Sequence, residues 1–227
     1  GVALYPRVPA LGAEAIVDLI VERTLYFDRV IERVVEQVDQ LVVMGAGYDM
    51  GAYGKLQGKN LSFFELDQPS VQTHKLATLE SSGIASEHVT FVSVDFTNEN
   101  AMGRLIESGF DTSKKTLFLW EGVTLYLSEA DVRKTMRGIC NTATAGSVLL
   151  ADIYAQRFIE IAGKNSAKKT LDATDEGLDF GLNFSTKHEE SLSVFVESES
   201  MPVGECFFLG EKSDKGPFVV VVEVIID

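Results

Sequence analysis

The chain has 227 residues, 45% of them hydrophobic, and carries 34 acidic against 20 basic side chains, for a formal net charge of −14. This length and composition predict one domain with a full core and no low-complexity architecture. So acidic a surface repels phosphate backbones, and no basic stripe offsets it, which disfavours a nucleic-acid substrate.

The cysteines and the apolar runs of the sequence indicate the cellular compartment of the protein. Cys140 and Cys206 are far apart in dissimilar surroundings, so we expect two reduced thiols and neither a disulfide nor a metal site. The longest apolar run, residues 218–226, is interrupted by Glu223 and is too short to cross a bilayer. The N-terminus shows no signal-peptide pattern. We therefore expect a cytoplasmic protein that binds no membrane; its oligomeric state is left open.

Helix-like and strand-like runs alternate along most of the chain. Residues 14–38 place apolar side chains at helical spacing, which predicts one long amphipathic helix or two consecutive ones. Ser128 begins a later helix, with Asp131 completing an Asp variant of the capping box. The predicted strands are 41–44, 61–66, 89–94, 116–120 and 146–151, and the other predicted helices are 70–81 and 100–108.

This alternation predicts right-handed crossovers and a parallel sheet with helices on both faces. The end of the chain differs, because the strands 205–209 and 218–226 are separated by a short polar loop that leaves no room for a helix. They should form an antiparallel hairpin. We predict an α/β fold with a Rossmann-like sheet that resembles the class I methyltransferases. We predict one domain over residues 1–227, with an N-terminal helical segment at 1–38 and a candidate lid or acceptor insertion at 156–203.

A glycine turn follows the first predicted strand. The segment 40–49 reads Gln-Leu-Val-Val-Met-Gly-Ala-Gly-Tyr-Asp, and Asp67 ends the next strand about twenty residues later. A strand that stops at glycines, with a carboxylate at this distance, is typical of an open sheet that binds an adenosine-type cofactor. Glu65 shares the side-chain parity of Asp67, so either could face the crevice. Glu65 could equally be a buried or paired acid within its strand.

Two more acids end the next two strands. Asp95 could accept a hydrogen bond from an adenine amino group while Phe96 covers the ring, although Asp95 also reads as a helix N-cap. Glu121 could bond a cofactor amine, or it could serve as a cap or an ion-pair partner. Three acids at the ends of successive strands, beside one glycine turn, together predict a cofactor site.

Four motifs and a preceding segment resemble the leucine carboxyl methyltransferase family of class I S-adenosylmethionine-dependent methyltransferases. The resemblance runs in order from about Arg23 to about Asp152. The motifs are the glycine segment 40–49, Phe-Glu-Leu-Asp-Gln-Pro at 64–69, Ser-Val-Asp-Phe at 93–96 and Trp-Glu-Gly-Val-Thr-Leu-Tyr-Leu at 120–127, and the preceding segment is Arg-Thr-Leu-Tyr-Phe-Asp-Arg at 23–29.

This resemblance implies that S-adenosyl-L-methionine is the cofactor and that Asp67 holds its ribose. It also implies that Gly45, with Ala46 and Gly47, lines the cofactor. Glu65 is kept as a second ribose-side candidate.

For the rest of the cofactor, the resemblance implies that Asp95 and Phe96 hold the adenine and that Glu121 contacts the methionine portion. Arg29, with Arg23 as the second candidate, would meet the methionine carboxylate, since a guanidinium pairs bidentately with a carboxylate. A surface arginine paired with acids of its own helix is the alternative for Arg29.

The sequence departs from the family just after the glycine turn. Met50-Gly51 and Gly54-Lys55 stand where the family usually has Thr-Arg and a further arginine. The N-terminal region ahead of Arg23 is also short for the resembled family. The lost arginines and this short region together put a protein C-terminal leucine carboxylate in doubt as the substrate. Tyr126, Tyr154 and His188 are the candidates on the acceptor side.

These observations predict an O-methyltransferase that acts on a carboxylate or a small-molecule hydroxyl. One alternative is a degenerate methyltransferase fold retained as a binding module. The other is a nicotinamide-dependent oxidoreductase, which the sequence disfavours because Met50 stands where the third glycine of Gly-X-Gly-X-X-Gly belongs.

Overall fold

The computed structural model describes residues 13–166, 177–210 and 215–227. They form one seven-stranded sheet in the order β3-β2-β1-β4-β5-β7-β6. The strands are β1 (Gln40–Met44), β2 (Ser62–Asp67), β3 (Val89–Ser93), β4 (Thr116–Trp120), β5 (Val148–Tyr154), β6 (Val203–Leu209) and β7 (Val219–Ile225). The helices are α1 (Ala13–Val34), α2 (Pro69–Ser81), α3 (Ala101–Glu107), α4 (Glu129–Thr142), α5 (Gln156–Ser166) and α6 (His188–Glu197).

Strands β1 to β5 pair in parallel, whereas β7 runs antiparallel to both β5 and β6. This confirms the predicted sheet and its closing hairpin, which follows from the short connection between β6 and β7. The strand order reverses between β1 and β4, so the carboxyl ends of these two strands flank a crevice where open sheets bind ligands.

Each face of the sheet is covered by its own apolar cluster. Alternate residues of β1 point to opposite faces, so Leu41 packs on the face covered by α1 and Val42 on the face covered by α3, α4 and α6. Phe27 and Val30 of α1 are each 2% exposed. Burial of this apolar stripe holds α1 on the sheet.

The predicted N-terminal helical stretch is formed by two consecutive elements, as one of the two predicted forms had it. Helix α1 stops at Val34, and a single 3-10 turn, Val35–Gln37, completes the amphipathic stretch. The predicted cap of α4 is present: Ser128 Oγ accepts a hydrogen bond from the Asp131 amide at 3.2 Å.

The candidate insertion 156–203 includes α5 and α6. Helix α6 packs Leu192, Phe195 and Val196 into the core, each at most 2% exposed. Residues 167–176 of the candidate lid lie outside the described residues. Within the described ranges, no helix is long and apolar enough to cross a membrane.

Candidate functional site

The glycine turn after β1 lies at the carboxyl edge of the sheet. Gly45 and Gly47 have φ angles of +70° and +45°, which favour glycine. The amides of Gly45 and Ala46 both donate to the Leu66 carbonyl, at 2.8 and 3.0 Å. The turn is therefore fixed to the end of β2, the strand that carries the predicted ribose acid, Asp67.

Asp67 holds this turn from the side. Its Oδ2 accepts a hydrogen bond from the Gly47 amide at 2.6 Å, and its Oδ1 accepts one from the Gln68 amide at 2.7 Å. Because an ionised carboxylate offers about four lone-pair positions, two backbone donors leave capacity for ribose hydroxyls. The structure thus places Asp67 beside the glycines, where the sequence predicted it.

Glu65 lies elsewhere. It is 1% exposed, and its Oε2 lies 2.6 Å from Lys75 Nζ of α2. Burial raises the pKa of Glu65 while Lys75 and Tyr53 oppose that shift. The side chain is enclosed between β2 and α2, which favours the alternative of a paired, buried acid over a ribose contact.

Asp95 makes the contacts of a capping residue. Its Oδ1 accepts from the Thr97 amide at 2.9 Å and from Thr97 Oγ1 at 2.6 Å, and its Oδ2 accepts from Asn98 Nδ2 at 2.8 Å. Hydrogen bonds from Thr97 and Asn98 lower the pKa of Asp95. Phe96 is 7% exposed and packs in the core. The adenine role of both residues stays a prediction.

Glu121 and Arg23 meet at the end of β4. Arg23 Nη2 donates to Glu121 Oε1 at 2.9 Å, and Thr24 Oγ1 lies 3.2 Å from the same oxygen. Burial alone would lower the pKa of Arg23, but Tyr154, Asp152 and Glu121 together raise it above its ordinary value. The guanidinium is thus a permanent cation at the crevice.

Sequence reasoning missed Asp152, the carboxylate at the centre of this cluster. Asp152 Oδ2 accepts from Arg23 Nη1 at 3.0 Å and from the Tyr154 hydroxyl at 3.0 Å. The Gly122 amide donates to both oxygens of Asp152 at 2.9 Å. Burial raises the pKa of Asp152 to about 6. An acid inside the apolar run of β5 was the available signal.

The structure places the two candidate arginines differently. Arg29 Nε donates to the Leu25 carbonyl of its own helix at 3.2 Å, and its guanidinium lies over the rings of Tyr26 and Phe207, 5.6 and 5.9 Å from their centroids. Arg23 instead lines the cavity described next. This geometry favours Arg23, the second candidate, for the carboxylate contact.

A cavity of about 690 Å³ opens between α1, the end of β1 and the segment after the glycine turn. Arg23, Glu121 and Gly45 line it, together with apolar side chains of α1, β1 and β4. Seven of the lining side chains are charged, namely Arg23, Asp28, Glu32, Asp49, Lys55, Lys59 and Glu121. The volume is in the range of small-molecule sites.

The acceptor-side candidates are dispersed. Tyr154 is 4% exposed and its hydroxyl is bonded to Asp152 and Arg23. Tyr126 is 45% exposed in the turn Thr124–Tyr126. His188 begins α6, with its ring 4.7 Å from that of Phe208. Of these three, none lines the cavity as formed by the described residues.

The sequence of this chain is similar to those of known methyltransferases. The family model described as leucine carboxyl methyltransferase matches residues 9–140. A Mycolicibacterium vanbaalenii protein named "Putative S-adenosyl-L-methionine-dependent methyltransferase" is 30% identical over 147 residues, covering 63% of this chain and 47% of that protein. The chain spans about half the length of the curated relatives it matches.

Two solved structures show the same fold. An S-adenosylmethionine-dependent methyltransferase from Clostridium acetobutylicum aligns with a TM-score of 0.57 at 13% identity, covering 88% of this chain and 89% of that one. The magnesium protoporphyrin IX methyltransferase of Synechocystis, with bound S-adenosylhomocysteine, aligns with a TM-score of 0.56 at 9% identity, covering 92% and 86%. At these identities the likeness concerns the fold alone.

Proposed function

Because the chain belongs to the leucine carboxyl methyltransferase family, we propose that it binds S-adenosyl-L-methionine and methylates an oxygen of a carboxylate or of a small-molecule hydroxyl. The observation that carries this proposal is the meeting of Gly45, Asp67, Arg23 and Glu121 at one edge of the sheet, beside the cavity. Open sheets bind nucleotide-type ligands at this edge.

The residues at this edge fit the cofactor. A Cβ added to Gly47 would meet no atom of the described residues within 4 Å, so a ligand can lie against the backbone there. Asp67 offers free lone pairs for ribose hydroxyls. Arg23 lines the cavity as a cation with 15% of its side chain exposed, which suits a ligand carboxylate.

The chain binds the cofactor and the methyl acceptor, aligns them and excludes water. The bound cofactor supplies a methyl group attached to a positively charged sulfur. As the methyl group bonds to the acceptor oxygen, its bond to sulfur breaks and the sulfur becomes part of a neutral thioether. Arg23 and Glu121 would hold the methionine end, and the apolar side chains of the cavity lining would keep water from the reacting atoms. A carboxylate acceptor needs no base, whereas a hydroxyl acceptor needs one to take its proton.

Calorimetry tests the proposal directly. We expect S-adenosylmethionine and S-adenosylhomocysteine to bind in the micromolar range, and NAD not to bind. Asp67→Ala should abolish this binding because it removes the ribose acceptor and releases the Gly47 amide. The matched control is Asp111→Ala, which removes an acid that accepts from the Ser113 amide at 2.9 Å in the loop that precedes β4, at the opposite edge of the sheet.

Each other result has a defined meaning. Unchanged affinity in Asp67→Ala contradicts the ribose role of Asp67. A well-folded wild-type protein that binds neither methionine cofactor supports the degenerate binding module instead. Binding of NAD in place of these cofactors supports the oxidoreductase.

A further inference from the structure

We propose that Asp152 is a positioning residue, which orients Arg23 and the turn after β4 toward the methionine end of the cofactor. This inference rests on the proposed function. Asp152 has 0% side-chain exposure and is absent from the cavity lining, so it can act only through the groups it bonds.

Those groups come from three parts of the chain. Asp152 accepts hydrogen bonds from Arg23 of α1, from the backbone amide of Gly122 and from Tyr154 on its own strand. The Asp152 main-chain carbonyl accepts a further bond from Thr124 Oγ1 at 2.6 Å. One residue therefore fixes the long arginine side chain and both sides of the turn that begins at Glu121.

The Gly122 contact explains how Asp152 reaches the Glu121 turn. Gly122 has a φ of +70°, and a Cβ there would lie 3.6 Å from Arg23 Nη1. The Gly122 amide donates to both Asp152 oxygens at 2.9 Å, so the peptide between Glu121 and Gly122 has one defined orientation. Glu121 is thereby presented to the crevice from a fixed backbone.

Preorganisation is the physical consequence for Arg23. A free arginine side chain has about 2 kcal/mol of rotamer entropy to lose on ligand binding. Here two carboxylates and the Tyr154 hydroxyl already hold its Nη atoms, while Nε has no partner among the described residues. A ligand carboxylate would thus meet an ordered cation, which strengthens binding without a new contact.

A second ion pair separates this role from simple docking of α1. Arg33, two to three turns further along α1, donates to the buried Glu223 of β7 at 2.6 Å, and Tyr26 donates to the same carboxylate at 3.1 Å. None of these three residues lines the cavity within the described chain. The helix thus has an anchor remote from the site, which provides a matched control.

The test compares two probes on the wild type and three variants. S-adenosylhomocysteine carries the amino-acid end and 5′-methylthioadenosine lacks it. Asp152→Asn should weaken S-adenosylhomocysteine binding about tenfold, the lower end of the loss caused by removing partners that orient metal ligands, and should leave 5′-methylthioadenosine binding unchanged. Tyr154→Phe should lower the affinity for S-adenosylhomocysteine relative to that for 5′-methylthioadenosine as well, but by less than Asp152→Asn does. Glu223→Gln should lower stability without changing the ratio.

The outcomes separate this inference from the proposed function. If wild-type protein binds neither probe, the proposed function fails and the role of Asp152 fails with it. If wild-type protein binds S-adenosylhomocysteine and Asp152→Asn leaves the ratio of the two affinities unchanged, only the positioning role is overturned. Should Asp152→Asn not fold, the ratio measured for Tyr154→Phe decides, and an unchanged ratio there also overturns the role.

Discussion

Gly45 and Gly47 lie two positions apart in one turn, and their surroundings differ. Both have positive φ angles, so an L side chain is strained at either position. A Cβ on Gly45 would lie 2.4 Å from Val123 Cγ2, whereas one on Gly47 would point into space that the described residues leave open. Packing of the protein itself restricts Gly45, whereas the space beside Gly47 is open to the proposed cofactor.

This difference predicts distinct phenotypes for two alanine variants. Gly45→Ala should cost about 1–3 kcal/mol more than its backbone strain alone, because Val123 must move. Gly47→Ala should cost only the strain, about 1–2 kcal/mol, and yet should lose most affinity for S-adenosylhomocysteine. Urea unfolding and calorimetry measure the two effects. Equal destabilisation by both substitutions would contradict the steric role of Val123.

The raised pKa of Asp152 should make the stability of the protein depend on pH. Its pKa is raised by burial to about 6 from an ordinary 3.8. The folded protein therefore takes up this proton at a higher pH than the unfolded chain, so the contribution of Asp152 to stability rises as pH falls from about 7 to 4. Arg23, Glu121 and Tyr154 are the ionisable groups that face it.

The prediction concerns the difference between wild type and Asp152→Asn, because asparagine does not titrate. That difference should move in favour of the wild type as pH falls through this window, by up to about 3 kcal/mol at 1.4 kcal/mol per pKa unit. Urea unfolding of both proteins at several pH values measures this difference. A difference that stays flat between pH 7 and 4 would refute the raised pKa.

At the scale of elements, the sequence predicts strands well because parallel strands buried on both faces read as short apolar runs bounded by glycine and acids. It could not choose between Glu65 and Asp67, since both project to the same face of β2. The ion pair with Lys75, whose Nζ lies 2.6 Å from Glu65 Oε2, favours Asp67 for the ribose contact. The Arg23–Asp152 pair joins residues 129 positions apart, which no local pattern reveals.

The Glu65–Lys75 pair joins α2 to β2. We predict that removing Lys75 alone greatly lowers the free energy of unfolding and that removing Glu65 as well restores part of it. Both side chains are at most 4% exposed. Lys75→Met should cost about 3–5 kcal/mol because it leaves an unpaired buried carboxylate, and adding Glu65→Leu should restore much of that loss. A double-mutant cycle in urea measures the coupling. Purely additive effects would show that the two residues do not act as a pair.

At the scale of the whole molecule, acidity dominates the field that a ligand meets. The chain carries a formal net charge of −14, and four carboxylates face three cations around the cavity. An anionic acceptor must therefore approach against a repulsive potential, whereas a neutral hydroxyl acceptor meets none. Salt reduces this repulsion, since the Debye length falls from about 30 Å at 0.01 M to about 8 Å at 0.15 M.

The salt dependence of KM should consequently report the acceptor class, given the proposed methyl transfer. For a carboxylate acceptor, KM should fall severalfold between these two salt concentrations, while for an uncharged hydroxyl acceptor it should stay constant. S-adenosylmethionine carries a net positive charge, so its own KM should rise over the same range and serve as the internal control. The measurement is initial-rate kinetics with candidate acceptors of both classes. A carboxylate acceptor whose KM rises with salt would mean that the local cations Arg23, Lys55 and Lys59 outweigh the acidic surface at the cavity.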